Sequence, residues 1–181
     1  MERRKLTPQG EERKAELLSK AAELFAERGY SRTRVSDIVK AAGVAKGLFY
    51  WYFDNKDALF NELIEDTSRK LRGAQADAVE SIDDPLERIY LGTIASVQFV
   101  AEHHRLYALM QAESAENELL VKALRSTSEL YAANIAAILR DGQKAGVVRS
   151  DDSPELLAWG VLGTVSYFAY FQRFAKLSTE S

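Results

Sequence analysis

The chain of 181 residues contains no cysteine, only two histidines and only three prolines. Without cysteine, neither a disulfide nor a thiolate-bound metal can form, and His103 and His104 leave few groups for catalytic chemistry. Adjacent residues on a helix point ~100° apart, so these two imidazoles are poorly placed to share a metal ion. Few prolines and long stretches rich in Ala, Leu, Glu, Lys and Arg favour helix. We therefore expect an all-α protein without a metal or cofactor.

The chain also lacks an apolar run behind its basic N-terminal residues, which does not fit a secretory signal. We therefore expect a cytoplasmic location. One uncharged stretch, residues 156–172, is slightly shorter than the ~20 residues that span a bilayer, and it contains hydroxyl and indole groups. For this stretch we favour burial in a subunit interface over a membrane span.

The charge is unevenly distributed along the chain, although the formal net charge is only -3. Residues 1–56 carry twelve Lys or Arg against eight Asp or Glu, a net charge of +4. Residues 57–181 carry twelve against nineteen, a net charge of -7. Because charge acts locally, a basic N-terminal part can bind nucleic acid within an acidic protein. We expect a head of residues 1–56 and a body of residues 57–181 with different roles.

The N-terminal part shows apolar residues at three- and four-residue spacing, which is typical of amphipathic helices. This spacing predicts helices over residues 8–28, 35–42, 45–53 and 56–72. Gly29 would end the first helix, and Gly43 would adopt the left-handed conformation that a tight helix-to-helix turn needs.

The body contains two helix starts in which a capping side chain precedes a proline, at Pro85 and Pro154. Further helices are predicted over residues 85–100, 105–112, 116–144 and 154–174. The last of these is apolar nearly all round, and a helix with no polar face must be buried on every side.

Two short helices joined by a glycine turn and packed on a longer helix form a helix-turn-helix, whose second helix enters the major groove of DNA. On that second helix, Leu48, Phe49 and Phe53 can pack inward. Tyr50 and Trp51 then face outward, with hydroxyl and indole donors suited to phosphate oxygens. The alternative is that both rings belong to the core.

Three neighbouring residues fit the same interpretation. Gly47 would let the backbone come close to a duplex, and Lys46 lies beside it. Lys56 adds a charge at a helix N-terminus, where free amides already favour an anion. Taken alone, both lysines could equally be solvated surface charges.

These segments resemble the tetracycline-repressor family, whose signature runs through Thr-Thr-Val-x-Asp-Ile, a Gly-Val turn and Gly-x-x-Tyr-x-x-Phe-x-x-Lys. The corresponding segments here are Thr33-Arg34-Val35-Ser36-Asp37-Ile38, Gly43-Val44 and Gly47-Leu48-Phe49-Tyr50-Trp51-Tyr52-Phe53-Asp54-Asn55-Lys56. The resemblance covers roughly residues 13–65. It departs at Arg34, where the family usually has a second threonine, and at Tyr52, where histidine is frequent.

The resemblance implies a fold with an N-terminal three-helix head and a helical body for effector binding and dimerisation. It implies phosphate contacts from Tyr50, Trp51, Tyr52 and Lys56, and base or groove-edge contacts from Ser36, Ala45, Lys46, Gly47 and Leu48. Thr33 would lie beside the DNA backbone, and Arg34 would add non-specific attraction.

For the body, the resemblance implies that the last two long helices form a four-helix bundle with a partner subunit. The expected interface residues are Trp159, Leu162, Gly163, Ser166 and Tyr170. The resemblance also implies a small-molecule effector, whose binding changes the separation of the two heads. Polar or soft residues on apolar faces are candidates for its pocket: His103, Tyr107, Met110, Gln111, Tyr131, Asn134 and Tyr167.

These observations together predict a non-enzymatic transcriptional regulator, namely a repressor. We expect it to bind a palindromic operator in double-stranded DNA as a homodimer and to be released from that operator by its effector. The alternatives are a helical enzyme or carrier that binds a small molecule and never touches DNA, and an adaptor that acts by protein contact alone.

Overall fold

The computed structural model describes residues 6–113 and 118–171, apart from the side chains of Gln111, Leu119, Leu120, Ala123 and residues 169–171. Within these residues the chain forms eight α-helices and no β-strand, which confirms the all-α prediction. The helices are α1 Pro8–Arg28, α2 Val35–Ala41, α3 Lys46–Tyr52, α4 Lys56–Val79, α5 Pro85–Glu102, α6 His104–Glu113, α7 Glu118–Lys144 and α8 Pro154–Phe171.

The chain divides into two compact units, the head up to Glu65 and the body from Asp66 onward. The division falls inside α4, whereas the sequence analysis placed it where that helix begins. The first turns of α4 belong to the head because their apolar residues are buried there: Leu59, Phe60, Leu63 and Ile64.

An aromatic cluster forms the centre of the head. The ring of Phe25 packs edge-on against Phe60 with centroids 5.5 Å apart, and Tyr30 lies 5.2 Å from Phe25 and 4.8 Å from Phe60. Such tilted and edge-on pairs are the favoured aromatic geometries. A half-buried ion pair between Lys14 and Glu62 (2.9 Å) joins α1 to α4 at the periphery. Together these contacts fix the platform on which the two short helices rest.

The turn between α2 and α3 uses Gly43 at φ +63°, the left-handed conformation predicted for it. The amide of Val44 then donates to the carbonyl of Val39 (3.0 Å). At the start of α2, Arg34 occupies the N-cap position without a capping side chain. Instead, Asp37 accepts a hydrogen bond from the Arg34 amide (2.9 Å), which is one half of a capping box.

In the body, α7 and α8 pack along each other and α5 packs against both. Their shared core consists of small and aliphatic residues, namely Ala132, Ile135, Ala136, Leu139 and Ala158. Both predicted helix starts are present: Asp84 accepts from the Glu87 amide (2.8 Å), and Ser153 accepts from the Leu156 amide (3.1 Å).

Helix α8 is buried on one face within a single chain, and the burial of its other face, predicted to lie in a subunit interface, stays a prediction. Ala158 and Val165 are buried, but Leu156, Trp159 and Tyr167 are 65%, 48% and 64% exposed. The inner face packs on the body, and the opposite face has no cover from the described part of the chain. No helix among the described residues combines the length and apolar character needed to cross a membrane.

Candidate nucleic-acid interface and body cavity

Helix α3 separates its aromatic residues into two faces. Phe49 and Phe53 are buried in the head, while Tyr50 is 50% exposed and Trp51 53% exposed. The helical period explains this, since the first pair are four residues apart and the second pair lie on the opposite side. The exposed rings are held by neighbours: Tyr50 packs edge-on against Phe49 (5.3 Å), and Trp51 against Tyr52 (4.6 Å). The surface therefore presents two rings in fixed positions.

The first turn of α3 is open to solvent. Lys46 is exposed, and its Nζ lies 5.8 Å from the centre of the Tyr50 ring. At Gly47 an added Cβ would meet no atom within 4 Å, so no described part of the protein requires a glycine there. Ser36, Arg34 and Ala45 are likewise exposed, whereas Leu48 is half-buried. The first turn of α3 therefore presents a narrow surface with an exposed backbone and one cation, and such a surface can enter the major groove of DNA, which is ~12 Å wide.

An open groove of about 420 Å³ runs between α3 and the start of α1. Sequence reasoning missed the contribution of α1, which lines the groove with Thr7, Gln9, Gly10 and Arg13. The available signal was Thr7-Pro8, since Thr7 caps α1 by accepting from the Gly10 amide (3.2 Å). An exposed arginine and glutamine beside a helix N-terminus suit the binding of an anion such as a DNA phosphate.

Three residues predicted to contact DNA form hydrogen bonds within the head. Thr33 is fully buried, and its hydroxyl donates to the carbonyl of Gly29 (2.9 Å), so a side-chain contact with DNA is excluded in this arrangement. The half-buried Tyr52 donates to the carbonyl of Gly10 (2.9 Å). The Thr33 bond lies within the loop between α1 and α2, and the Tyr52 bond joins α3 to α1.

Lys56 is the third such residue. Its half-buried Nζ donates to the carbonyls of Tyr30 (2.8 Å) and Thr33 (3.0 Å) and lies 4.0 Å above the centre of the Tyr30 ring. The Tyr30 hydroxyl in turn donates to Asp57. The lysine thus ties the loop between α1 and α2 to the start of α4, a role that the sequence did not reveal.

The body contains a separate cavity of about 230 Å³ between α4, α5, α6, α7 and α8. Of the residues predicted for a pocket, Tyr107, Met110 and Tyr131 line it. Burial raises the pKa of the Tyr107 hydroxyl to about 12, so this group is neutral over the physiological range.

Other pocket candidates lie elsewhere. His103 caps α5, stacks on Phe99 with ring centroids 4.1 Å apart and places its Nδ1 2.8 Å from the Phe99 carbonyl. Asn134 and Tyr167 are exposed and do not line the cavity. The side chain of Gln111 lies outside the described residues. Helix rotation decides these outcomes, because each misplaced residue points away from the side of its helix that faces the cavity.

The expected interface residues of α8 divide between two faces. Trp159 and Gly163 are exposed, and Ser166 is exposed while also bordering the cavity. Leu162 is half-buried and lines the cavity, so it does not belong to the exposed face. The Tyr170 side chain lies outside the described residues. Among the residues described, no group of three or more His, Asp or Glu is arranged to hold a metal ion.

Comparison with known proteins gives one family for the N-terminal part. Residues 17–63 match the family described as bacterial regulatory proteins, tetR family. The transcriptional repressor KstR2 of Mycobacterium tuberculosis is 36% identical over 102 residues, which are 56% of this chain and 51% of that protein. The matched region thus spans about half the length of that relative. KstR2 of Rhodococcus jostii is 32% identical over 147 residues, covering 80% of this chain and 72% of that protein.

The fold of the chain is also similar to that of a solved transcriptional regulator. The transcriptional regulator FadR from Bacillus subtilis, solved in complex with stearoyl-CoA, superposes with a TM-score of 0.80 at 23% identity, over 91% of this chain and 89% of that one. At this identity the similarity establishes the fold, including the helical body.

Proposed function

Because the chain belongs to the tetracycline-repressor family of bacterial regulatory proteins, we propose that it is a transcriptional repressor that binds a palindromic operator as a homodimer and is released by a small-molecule effector. The observation that carries the proposal is the outward position of Tyr50 and Trp51 above the buried Phe49 and Phe53. The two rings lie next to each other on the outer face of α3, and their hydroxyl and indole donors suit DNA phosphates. The role is non-enzymatic and places the protein in the cytoplasm, with the DNA.

In this proposal α3 is the recognition helix. Its first turn, with Ala45, Lys46 and Gly47, reads the base edges, together with Ser36 and Leu48. The rings of Tyr50 and Trp51 contact the phosphate backbone on either side of the groove. Lys56 and Thr33 act indirectly, since they hold the loop that leads into α2.

The groove beside α1 extends the proposed contact. Arg13 and Gln9 lie next to Trp51 along one continuous surface of the head. Phosphate contacts position a protein on the duplex, whereas base contacts specify the sequence. We therefore assign Arg13 to positioning and Lys46 to recognition.

The exposed face of α8 is the proposed dimer contact. Trp159 offers a large apolar surface. At Gly160 and Gly163 an added Cβ would meet no described residue within 4 Å, so a second helix would be able to approach closely there. A two-fold dimer places two recognition helices in successive major grooves, ~34 Å apart, which matches a palindromic site.

Release follows from the body cavity. A ligand shifts an equilibrium only by its differential affinity for the two states. An effector that binds better to a conformation unable to engage the operator would therefore lower operator occupancy. The stearoyl-CoA complex of Bacillus subtilis FadR is a case of a protein of this fold with a bound small molecule, and it supports a ligand in the body here.

The direct test is an electrophoretic shift with fragments of the DNA upstream of the protein's own gene. Retardation should be specific and should weaken as salt rises. Tyr50→Ala should lower operator affinity about tenfold by removing one phosphate contact, with the dimer mass unchanged. Tyr90→Ala is the matched control, because Tyr90 is a 63% exposed tyrosine in the body.

Equal operator affinity for wild type and Tyr50→Ala would mean that α3 is not the contact helix. No specific retardation at low salt, with ligand binding retained, would favour the alternative of a helical carrier that never binds DNA.

A further inference from the structure

Among the described residues, the wall of the body cavity carries no charged side chain. Eight of its lining residues have a hydroxyl group and one, Gln75, has an amide, while none of the lining residues in the described part of the chain is Asp, Glu, Lys, Arg or His. An ionised ligand moved from water into such a site would lose its hydration without gaining a counterion, which costs far more than burying a neutral group. The wall therefore discriminates against ionised ligands of either sign.

The hydrogen bonds beside the cavity fix where protons lie. Ser96 is fully buried, and its hydroxyl donates its only proton to the carbonyl of Gly92 (2.6 Å). The amide nitrogen of Gln75 (2.9 Å) and the hydroxyl of Tyr131 (3.1 Å) must then both donate to the Ser96 oxygen. This leaves the Tyr131 oxygen as an acceptor only.

Tyr107 differs from Tyr131. Among the described residues, none forms a hydrogen bond with its hydroxyl, although the ring is largely desolvated. A half-buried neutral phenol whose donor has no partner among the described residues gains from an acceptor on a ligand. Tyr107 is the one aromatic donor of the wall available to a ligand oxygen within the described part of the body.

The size of the cavity limits the ligand. At about 230 Å³ it is about one and a half times the ~150 Å³ apolar cavity that accommodates benzene. The stearoyl-CoA bound by Bacillus subtilis FadR carries phosphate groups and a long acyl chain, for which this wall offers neither cations nor room.

We propose that the effector is a small uncharged molecule of roughly nine or ten non-hydrogen atoms, with an apolar body and one carbonyl or hydroxyl oxygen that accepts a hydrogen bond from Tyr107. The inference that the cavity binds such a ligand rests on the residues of its wall, whereas the inference that the ligand releases the protein from DNA rests on the proposed function. Leu71, Val100, Met110 and Val165 supply the apolar surface for the body of the ligand.

Four isosteric probes test this with the full chain by calorimetric titration and thermal shift. Acetophenone carries the carbonyl, isopropylbenzene lacks it, and benzoate and 1-phenylethylammonium carry a negative and a positive charge. Acetophenone should bind tightest and raise the melting temperature, and each charged probe should bind at least tenfold more weakly.

Variants assign the hydrogen bond. Tyr107→Phe should weaken acetophenone about fivefold, the effect of one neutral hydrogen bond, and leave isopropylbenzene unchanged. Tyr90→Phe is the matched control, since Tyr90 is exposed and does not line the cavity. Circular dichroism of both variants shows whether the fold is retained.

Tighter binding of benzoate or 1-phenylethylammonium than of acetophenone would overturn the inference, as would the absence of binding by all four at millimolar concentration. If a folded Tyr107→Phe variant binds acetophenone with unchanged affinity, Tyr107 is not the donor of the proposed hydrogen bond. Operator binding by the ligand-free protein tests the proposed function separately. If the protein binds acetophenone but no operator, the proposed regulatory function is refuted and the proposed ligand class stands. If it binds an operator but prefers a charged probe, the ligand class is refuted and the regulatory function stands.

Discussion

Replacing Lys56 by methionine should destabilise the head, because this lysine is a structural link rather than a solvated charge. Its ammonium donates to two main-chain carbonyls, of Tyr30 and Thr33, and lies over the Tyr30 ring. Hydrogen bonds with a charged partner contribute ~1.5–3 kcal/mol each, and a cation over an exposed ring contributes ~0.5–1 kcal/mol. Since Lys56 is only half-buried, we take the lower values.

Against these contributions stands the rotamer entropy that a long side chain recovers when released, ~2 kcal/mol. The difference is a loss of about 1.5 kcal/mol in the free energy of unfolding of the head. Methionine keeps most of the aliphatic stem, so the loss reports the ammonium contacts rather than packing.

The assay is urea unfolding followed by tryptophan fluorescence. The chain has two tryptophans, one in each unit, so a Trp159→Phe background leaves Trp51 as the reporter of the head. Lys46→Met is the matched control, since Lys46 is exposed, and its unfolding free energy should change by less than ~0.5 kcal/mol. An unfolding curve for Lys56→Met that superposes on that of the Trp159→Phe parent would refute the reasoning, as would an equal loss in Lys46→Met.

Three further outcomes follow from the same structure. Arg13→Ala should reduce the slope of log binding constant against log salt by about 0.9, because Arg13 is the proposed phosphate contact, whereas Lys122→Ala, which removes an exposed cation of the body, should leave the slope unchanged; equal slopes in titrations at several salt concentrations would place Arg13 off the phosphates. Gly43→Ala should lower the free energy of unfolding of the head by about 1 kcal/mol or more, because φ is +63° there, and an unchanged urea midpoint would contradict this. Burial raises the pKa of Tyr107 to about 12, so this tyrosine ionises at lower pH in the unfolded chain than in the folded one, and the free energy of unfolding present below pH 10 should fall as the pH rises through 12. Tyr107→Phe should lose that part of the pH dependence. An ultraviolet titration with a midpoint near 10 for this residue would be inconsistent with its burial.

Helix ends were accessible from sequence because the chemistry that sets them is local. Pro85 and Pro154 begin α5 and α8 as predicted, and Gly29 follows the end of α1. The exception is α4, predicted to end near residue 72, which continues to Val79. Gly73 lies in its interior, where a glycine costs only ~1 kcal/mol relative to alanine, and Gln75 beyond it takes part in the cavity wall.

The outward face of α3 was also predictable, since the helical period alone separates Tyr50 from Phe49. The roles of Thr33, Tyr52 and Lys56 were not. The partners of Tyr52 and Lys56 lie far along the chain, as with the Tyr52 hydroxyl and the Gly10 carbonyl, 42 residues apart. A donor suited to a phosphate is equally suited to a main-chain carbonyl, and only tertiary packing decides which one it meets.

The cavity wall shows the same limit in another form. Tyr131 and Asn134 are three residues apart on α7, yet only Tyr131 lines the cavity. Residue type suggested both, because both combine a polar group with an otherwise apolar helix. The rotation of α7 against α5 and α8 set the outcome, and that rotation depends on the packing of Ala132, Ile135 and Ala136.

The unoccupied space around Gly47 has a practical consequence. Alanine would favour α3 by ~1 kcal/mol, and its methyl group would meet no described residue within 4 Å. If the backbone of this turn has to lie against base pairs, that same methyl group would hold the helix away from them. A laboratory selecting variants for heat resistance alone would therefore enrich Gly47→Ala, a variant that tolerates higher temperatures and, under the proposed function, no longer recognises the operator.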